Sequence, residues 1–384
     1  MAKYSIIGSG ISGLSIGYFL KKAGHNVTIY EADSFCGGVI KTEKVAEGLV
    51  QHGPHLMRAN EEIDKFFQEI GVKTLQAIRK KKYIGVFKND NFEAIKLGMS
   101  QIFRTIPHLF FKRKKNYDSL LDFASHHYGK FVAENFIQAI CNGVYACDIK
   151  NLNCKIALKK LYFEEERAIF KIVKSLVNFK KQKIVTPVDG FGGIVESLAK
   201  NLKENIVYNV RIEDIEKLDG SVVIAIPAFC AKKLHGLPSG VNDLLENISY
   251  ASVDVTTVFT KTPIKLHGIG ILTPQKDGIL GILFNSSAFY LKVENGFYSY
   301  SIFSKNLQEG EITKMFERIY NVEIVNSYFN SYKNSIPIYN DALEKFIDYN
   351  GTSNERVRFF GNYTGQVAIG EIILNAKEFA NNVI

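Results

Sequence analysis

The chain has 384 residues, 46% of them hydrophobic, and 48 Lys and Arg against 39 Asp and Glu give a formal charge of 48 − 39 = +9. That length exceeds what one hydrophobic core usually serves, so about two domains are expected, and the charge, carried mostly by Lys, suits anionic ligands, an anionic membrane surface or a Lys-rich background. Five scattered cysteines without a CxxC pair imply neither a disulfide framework nor a zinc site, and no apolar run reaches the roughly 18 residues of a spanning helix. With no signal peptide ahead of the first strand, the expectation is a cytoplasmic protein, at most peripheral on the inner face of a membrane.

Tyr4-Ser5-Ile6-Ile7 is a short apolar strand that runs into Gly8-Ser9-Gly10-Ile11-Ser12-Gly13, and a helical pattern continues through Ala23. Val27-Thr28-Ile29-Tyr30 is the next strand, with Glu31 and Ala32 at its end. Gly8 allows the tight turn, Gly10 lets backbone approach a pyrophosphate, and Gly13 lets the helix lie close on the strand, so that its N-terminus faces phosphates. Glu31 stands where a carboxylate accepts from ribose hydroxyls. Strand, turn, helix, strand and acid in register predict a dinucleotide-binding unit.

Gly37-Gly38 comes next, where two adjacent glycines let backbone pass close beneath a cofactor. From here the chain resembles the flavin amine oxidase superfamily, in which an Arg precedes the double glycine; Phe35 stands at that place. Gly48 to Arg58 resembles the return to the flavin in protoporphyrinogen oxidases, with Gly53, Pro54 and Arg58 matching and His55 between them. His52 and His55 have a spacing that suits a metal, but without a nearby carboxylate or thiol run they read as satisfied polar packing.

Residues 61–71 predict an amphipathic helix with Ile63, Phe66, Phe67 and Ile70 on one face and Gly71 as its stop. Residues 83–97 predict a hairpin turning at Asn89-Asp90-Asn91, preceded by Lys80, Lys81 and Lys82, a solvated loop or an anion-binding rim. Residues 102–115 join an apolar stretch to Lys112-Arg113-Lys114-Lys115. They read either as a helix lining an internal pocket and then an exposed basic loop, the favoured reading, or as a segment lying in a membrane interface.

Residues 118–128 and 130–144 predict helices, the second with Phe131, Val132, Phe136, Ile137, Ile140 and Val144 on one side. Asn142-Gly143-Val144-Tyr145-Ala146-Cys147-Asp148 resembles a substrate-domain segment of protoporphyrinogen oxidases, with Cys147 replacing a glycine. Thr186 to Gly193 leads into a helix over 194–202 and resembles the superfamily's return to the FAD domain. Residues 206–212 predict a strand in which Val210, by resemblance, offers backbone to adenine, and residues 222–228 a buried parallel strand.

Residues 250–303 alternate β-branched runs with Gly, Asn and Pro and predict a mixed or antiparallel sheet. Ile269, Leu272 and Leu283 stand where relatives wall a tetrapyrrole; plain sheet core is the other reading. Residues 358–371 resemble the closing FAD motif, in which Gly361 and Asn362 contact the flavin and a helix beginning at Val367, Ala368, Ile369 and Gly370 aims N–H groups at it.

The predicted fold is α/β, a Rossmann-like FAD-binding domain (1–60, 185–240 and 350–384) with a second substrate domain, helical over 61–184 and mixed sheet over 241–349. The resemblance implies FAD as cofactor, oxygen as acceptor with peroxide released, and six-electron oxidation of protoporphyrinogen IX in haem biosynthesis. Arg58 and Lys82 are the expected propionate partners. No Ser/His/Asp or paired-carboxylate constellation is evident, as expected where the cofactor performs the reaction. The alternatives are coproporphyrinogen III oxidation, another flavin amine oxidase or desaturase, and a non-catalytic FAD-binding scaffold. No metal or nucleic-acid partner is expected.

Overall fold

The computed structural model describes residues 1–78, 81–88, 91–111, 116–157, 159, 162–163, 167–168, 182–289, 296–352 and 356–383. β1 (Lys3–Ile7) is buried from Tyr4 onward and ends at Gly8, whose φ of +97° makes the turn. α1 (Ile11–Lys22) is next, and β2 (Asn26–Tyr30) pairs parallel with β1. A hairpin of β3 (Lys41–Val45) and β4 (Gly48–His52) leads to β5 (Met57–Ala59). Asn60 then caps α2 (Glu61–Glu69) by accepting from Ile63 N at 2.9 Å, and the predicted apolar face is buried. β6 (Thr74–Gln76) precedes the hairpin of β7 (Lys82–Lys88) and β8 (Asn91–Ala94); Lys80, Asn89 and Asp90 lie outside the described residues.

α3 (Met99–Thr105) and a 3₁₀ turn (Ile106–Phe110), which Pro107 separates, bury no residue. The expected helix lining an internal pocket is therefore corrected. Met99, Phe103, Ile106 and Phe110, spaced four, three and four apart, are 44% to 67% exposed. The chain leaves the edge strand β8 here and touches the rest of the protein through His108, whose Nδ1 lies 2.9 Å from His126 O, while the apolar stripe stays uncovered among the described residues. The basic run 112–115 lies outside the described residues.

α4 (Leu120–Tyr128) is capped by Ser119, whose hydroxyl accepts from Asp122 N at 3.2 Å. α5 (Lys130–Val132), a π turn (Ala133–Ile137) and α6 (Gln138–Tyr145) continue as one helix. The predicted apolar side is corrected as well. Of that side Ile137 is buried and Val132 and Val144 are half-buried against the core, but Phe131 and Ile140 are exposed, and Ala133, Cys141 and Tyr145 are buried in their stead. The wider π turn carries an extra residue and rotates the helical face of α6 by roughly 100° relative to α5.

β9 (Lys183–Pro187) leads into α7 (Gly190–Asn201), which starts four residues before the predicted Ile194. The strand expected over 206–212 is only β10 (Ile206–Val207). Asn209 takes φ +58° and turns the chain so that Val210 N donates to Glu31 O at 2.9 Å. β11 (Ser221–Ile224), β12 (Tyr250–Thr260), β13 (Gly270–Leu272), β14 (Gly278–Leu283) and β15 (Tyr298–Lys305) come next. α8 (Glu309–Tyr320), β16 (Ile324–Pro337), β17 (Val357–Phe359) and α9 (Ile369–Asn382) complete the elements that frame the site.

A five-stranded parallel sheet runs β10-β2-β1-β11-β17, and a seven-stranded mixed sheet runs β16-β12-β15-β14-β13-β7-β8, with β13 and β7 parallel. A small sheet, β5-β9-β6, makes a third. One face of the seven-stranded sheet buries Val258, Ile271, Ile282, Tyr300 and Ile302 against Ile312 and Phe316 of α8. The turn of the β3–β4 hairpin is tied to β16: Glu47 accepts from Asn326 Nδ2 at 2.7 Å and from the Tyr328 hydroxyl at 3.1 Å, which together hold its carboxyl below the usual range.

Candidate cofactor cradle and active site

Gly13 fixes the cradle, because a Cβ there would lie 1.9 Å from the Gly8 carbonyl oxygen. α1 thus meets β1 closely, and its N-terminus has neither a side-chain cap nor an acidic residue in its first turn. The amides of Ile11, Ser12 and Gly13 belong to the turn whose donors have no intrahelical acceptor, so they suit an anion. Above Gly10 the space is open, with no atom within 4 Å of where a Cβ would stand. Gly37 N donates to Ser9 O at 3.0 Å, and Gly38 (φ +58°) lies over Gly10, so two glycine turns form one backbone-walled cradle.

Glu31 is held from several sides. One carboxylate oxygen accepts from Ser9 N at 2.9 Å and Ser9 Oγ at 2.5 Å, the other from Asp33 N at 2.9 Å. Val210 is bound to its main chain, so acid and predicted adenine segment lie together, with Ala32 next in the chain. Phe35, at the place where the resemblance expects an Arg, is 57% exposed. At the far end, a Cβ on Gly361 would lie 3.8 Å from Ser12 Oγ, and Tyr339 donates to Asn362 O at 2.7 Å. The closing motif thus reaches the start of α1.

α9 begins at Ile369 with Ala368 as an uncapped N-cap, rather than at Val367, and carries Glu371 in its first turn. That carboxylate offsets part of the helix's positive end. Gly370 serves packing, since a Cβ there would lie 3.1 Å from both Arg58 O and Met57 Cε.

Lys82, Leu272 and Leu283, expected at the substrate site, lie on the other face of the seven-stranded sheet. Strand register places Lys82, Gly270, Leu283, Ser301, Thr257 and Tyr328 in one row and Ile84, Leu272, Gly281, Phe303, Val255 and Asn330 in the next. Leu272 therefore faces Gly281, and Leu283 faces Gly270. Ile269 is one residue out of phase with these rows, and it is buried in one cluster with Leu283, Ala77, Ala288 and Phe289. Leu272 supports α6, where a Cβ on Gly143 would lie 2.8 Å from its Cδ2.

Lys82 reaches the surface, yet neighbouring atoms crowd its ammonium. Lost hydration, and secondarily the Arg58 guanidinium, lower its pKa. The two expected cations therefore lie near one another. His52 Nε2 faces Glu43 at 3.5 Å, and His55 Nδ1 lies 2.8 Å from Gly53 O. Among the described residues, no group of three His, Cys, Asp or Glu is arranged to hold a metal.

Sequence reasoning missed Phe303, whose ring meets His55 edge-on at 5.1 Å; the period-two pattern Ser299, Ser301, Phe303 was its signal. It also missed the role of Gln138 and Asn142. Gln138 Nε2 donates to Asn142 Oδ1 at 2.8 Å and its Oε1 accepts from Ile149 N at 3.0 Å, while Asn142 Nδ2 donates to Thr273 O and Gln275 O. Two amides four apart in an apolar helix signal such a clamp. Ala146, beside it, takes φ +47°, and its carbonyl accepts from Lys305 Nζ at 3.1 Å.

The family model for flavin containing amine oxidoreductases matches residues 11–301. Protoporphyrinogen oxidase 2 of Arabidopsis thaliana is 24% identical, the alignment covering 100% of this chain and 94% of that protein. Coproporphyrinogen III oxidase of Staphylococcus aureus is 24% identical over 55% of this chain and 54% of its own. A crystal structure from Exiguobacterium sp. 255-15, provisionally named a protoporphyrinogen oxidase, superposes with a TM-score of 0.80 at 14% identity, covering 100% of this chain and 98% of that one.

Proposed function

We propose that this chain, which belongs to the flavin-containing amine oxidoreductase family and is an FAD-dependent oxidoreductase, oxidises a porphyrinogen, with protoporphyrinogen IX ahead of coproporphyrinogen III. The cradle fits FAD: uncapped amides at α1, open space above Gly10 and an anchored Glu31 are what a pyrophosphate and a ribose require. When bound, FAD supplies the electron acceptor, and oxygen takes the electrons onward to peroxide. The reading assigns 1–60, 185–240 and 350–384 to the cofactor and 61–184 and 241–349 to the substrate.

The observation that carries the substrate reading is the row running Lys82, Gly270, Leu283, with Arg58 close enough to depress Lys82. Leu272, Leu283 and Phe303 hold an apolar macrocycle, and the two cations receive two propionates. Coproporphyrinogen brings four, which leaves two without placed partners. Exposed pairs contribute only about 0 to 1 kcal/mol each, so the cations orient more than they bind. Steady-state oxidation of both porphyrinogens, monitored by porphyrin fluorescence, tests this. A higher kcat/KM for coproporphyrinogen III reverses the substrate order, and no turnover of either ends the porphyrinogen reading.

The reading includes a peripheral contact with an anionic membrane surface. The exposed stripe Met99, Phe103, Ile106 and Phe110, flanked by exposed Lys96 and Arg104 and succeeded in sequence by four cations, supports it. Among the described residues, no helix is long and apolar enough to cross a membrane.

A further inference from the structure

His55 sits where the cradle meets the sheet face. A Cβ on Gly53 would lie 3.1 Å from the carbonyl oxygen of Val39, next to the double-glycine turn, while the His55 ring stands edge-on to Phe303 in the second row. The side chain is 4% exposed. Its Nδ1 lies 2.8 Å from Gly53 O, and because a carbonyl can only accept, that nitrogen carries the proton. Burial keeps the ring neutral, pushing its pKa down to about 4.

This tautomer leaves Nε2 as a bare lone pair, and Nε2 is buried with no hydrogen-bond partner among the described residues. His52, the neighbouring titratable group, is turned to Glu43 and supplies no donor. Buried polar atoms in folded proteins nearly always have a partner, so an orphan at a cofactor boundary calls for a donor that arrives with a ligand. A porphyrinogen ring offers N–H donors and no ring acceptor, and the flavin ring also carries N–H.

We propose that His55 Nε2 is an acceptor reserved for an N–H donor, the pyrrole N–H of the substrate or a ring N–H of the flavin. The substrate source rests on the porphyrinogen reading; the flavin source does not. His55 is then a positioning residue whose fixed tautomer orients the ring it accepts from.

His55→Leu removes the acceptor, and His55→Gln keeps an oxygen at similar reach. For each protein the Kd for FAD, the flavin midpoint potential without substrate, and kcat and KM for protoporphyrinogen IX are measured. A buried N–H left unpaired weakens the affected step by about tenfold. If the donor is pyrrole, His55→Leu raises KM by about that factor with FAD affinity and potential unchanged. If the donor is flavin, FAD affinity or potential changes before substrate is added. His55→Gln restores most of either loss. Should His55→Leu not fold, His55→Asn, which reaches only the Nδ1 position, takes its place. A folded variant whose FAD affinity, potential and KM all match the wild type overturns the proposal, as does equal loss in the Leu and Gln variants. Absence of porphyrinogen turnover by the wild type removes the substrate reading alone, and the FAD measurements still decide whether His55 serves the flavin.

Discussion

Acidification should unfold this protein through His55, by an amount set by its burial. The imidazole is pushed down from 6.5 to about 4 in the folded state. Above pH 6.5 neither the folded nor the unfolded chain binds the proton, and the group is silent. Between 6.5 and 4 the unfolded chain binds it and the folded one does not, so stability falls as pH falls; below 4 the loss levels off. The two values give a loss of about 2 kcal/mol at pH 5 and about 3 kcal/mol at pH 4. Urea unfolding of wild type and His55→Gln at pH 7 and pH 5, at equal FAD saturation, isolates this effect because every other titrating group is shared. Wild type should lose about 2 kcal/mol more than the variant. Losses that agree within about 0.5 kcal/mol would refute the sealed, neutral imidazole.

Gly13→Ala should cost about 3 kcal/mol or more, since its Cβ meets the Gly8 carbonyl oxygen at 1.9 Å, and should purify without flavin absorbance. Ala146→Gly relieves a left-handed backbone but removes a buried methyl and loosens the unfolded chain, so stability in urea titration should change by less than about 1 kcal/mol. Lys82→Met should raise KM for protoporphyrinogen about two- to fivefold with kcat unchanged, because it removes an orienting contact rather than a reacting group. Phe103→Ser with Phe110→Ser should lower co-sedimentation with anionic vesicles at least about tenfold, each ring losing about 1.5 to 3 kcal/mol of burial; binding that persists would clear this stripe of the contact.

The cradle was legible because its logic is local. Gly8, Gly10 and Gly13 act through backbone, and Glu31 through a carboxylate that accepts from the Ser9 amide, all within one βαβ unit, so their spacing alone states their geometry. The sheet face was legible only in part. Leu272 and Leu283 were recognised, but the pairing of each leucine with a glycine depends on register between strands that no local pattern encodes. Arg58 and Lys82 lie 24 positions apart and meet through the packing of separate sheets. Phe131 and Ile140 were misread because one π turn shifts the helical phase, and an apolar stripe does not declare whether anything covers it, which is how Phe103 and Ile106 came to be expected inside.

The five-stranded sheet takes β1 and β2 from residues 3–30, yet its last strand and the helix that closes the cradle come from residues 357–382. During synthesis the phosphate-binding turn therefore leaves the ribosome hundreds of residues before Gly361 and Ile369 exist to face it. Until then β11 has β1 beside it but lacks β17 on its other side, an arrangement rich in long-range pairings that forms slowly. The complete cradle is consequently available to a cofactor only once residues 357–382 have joined it.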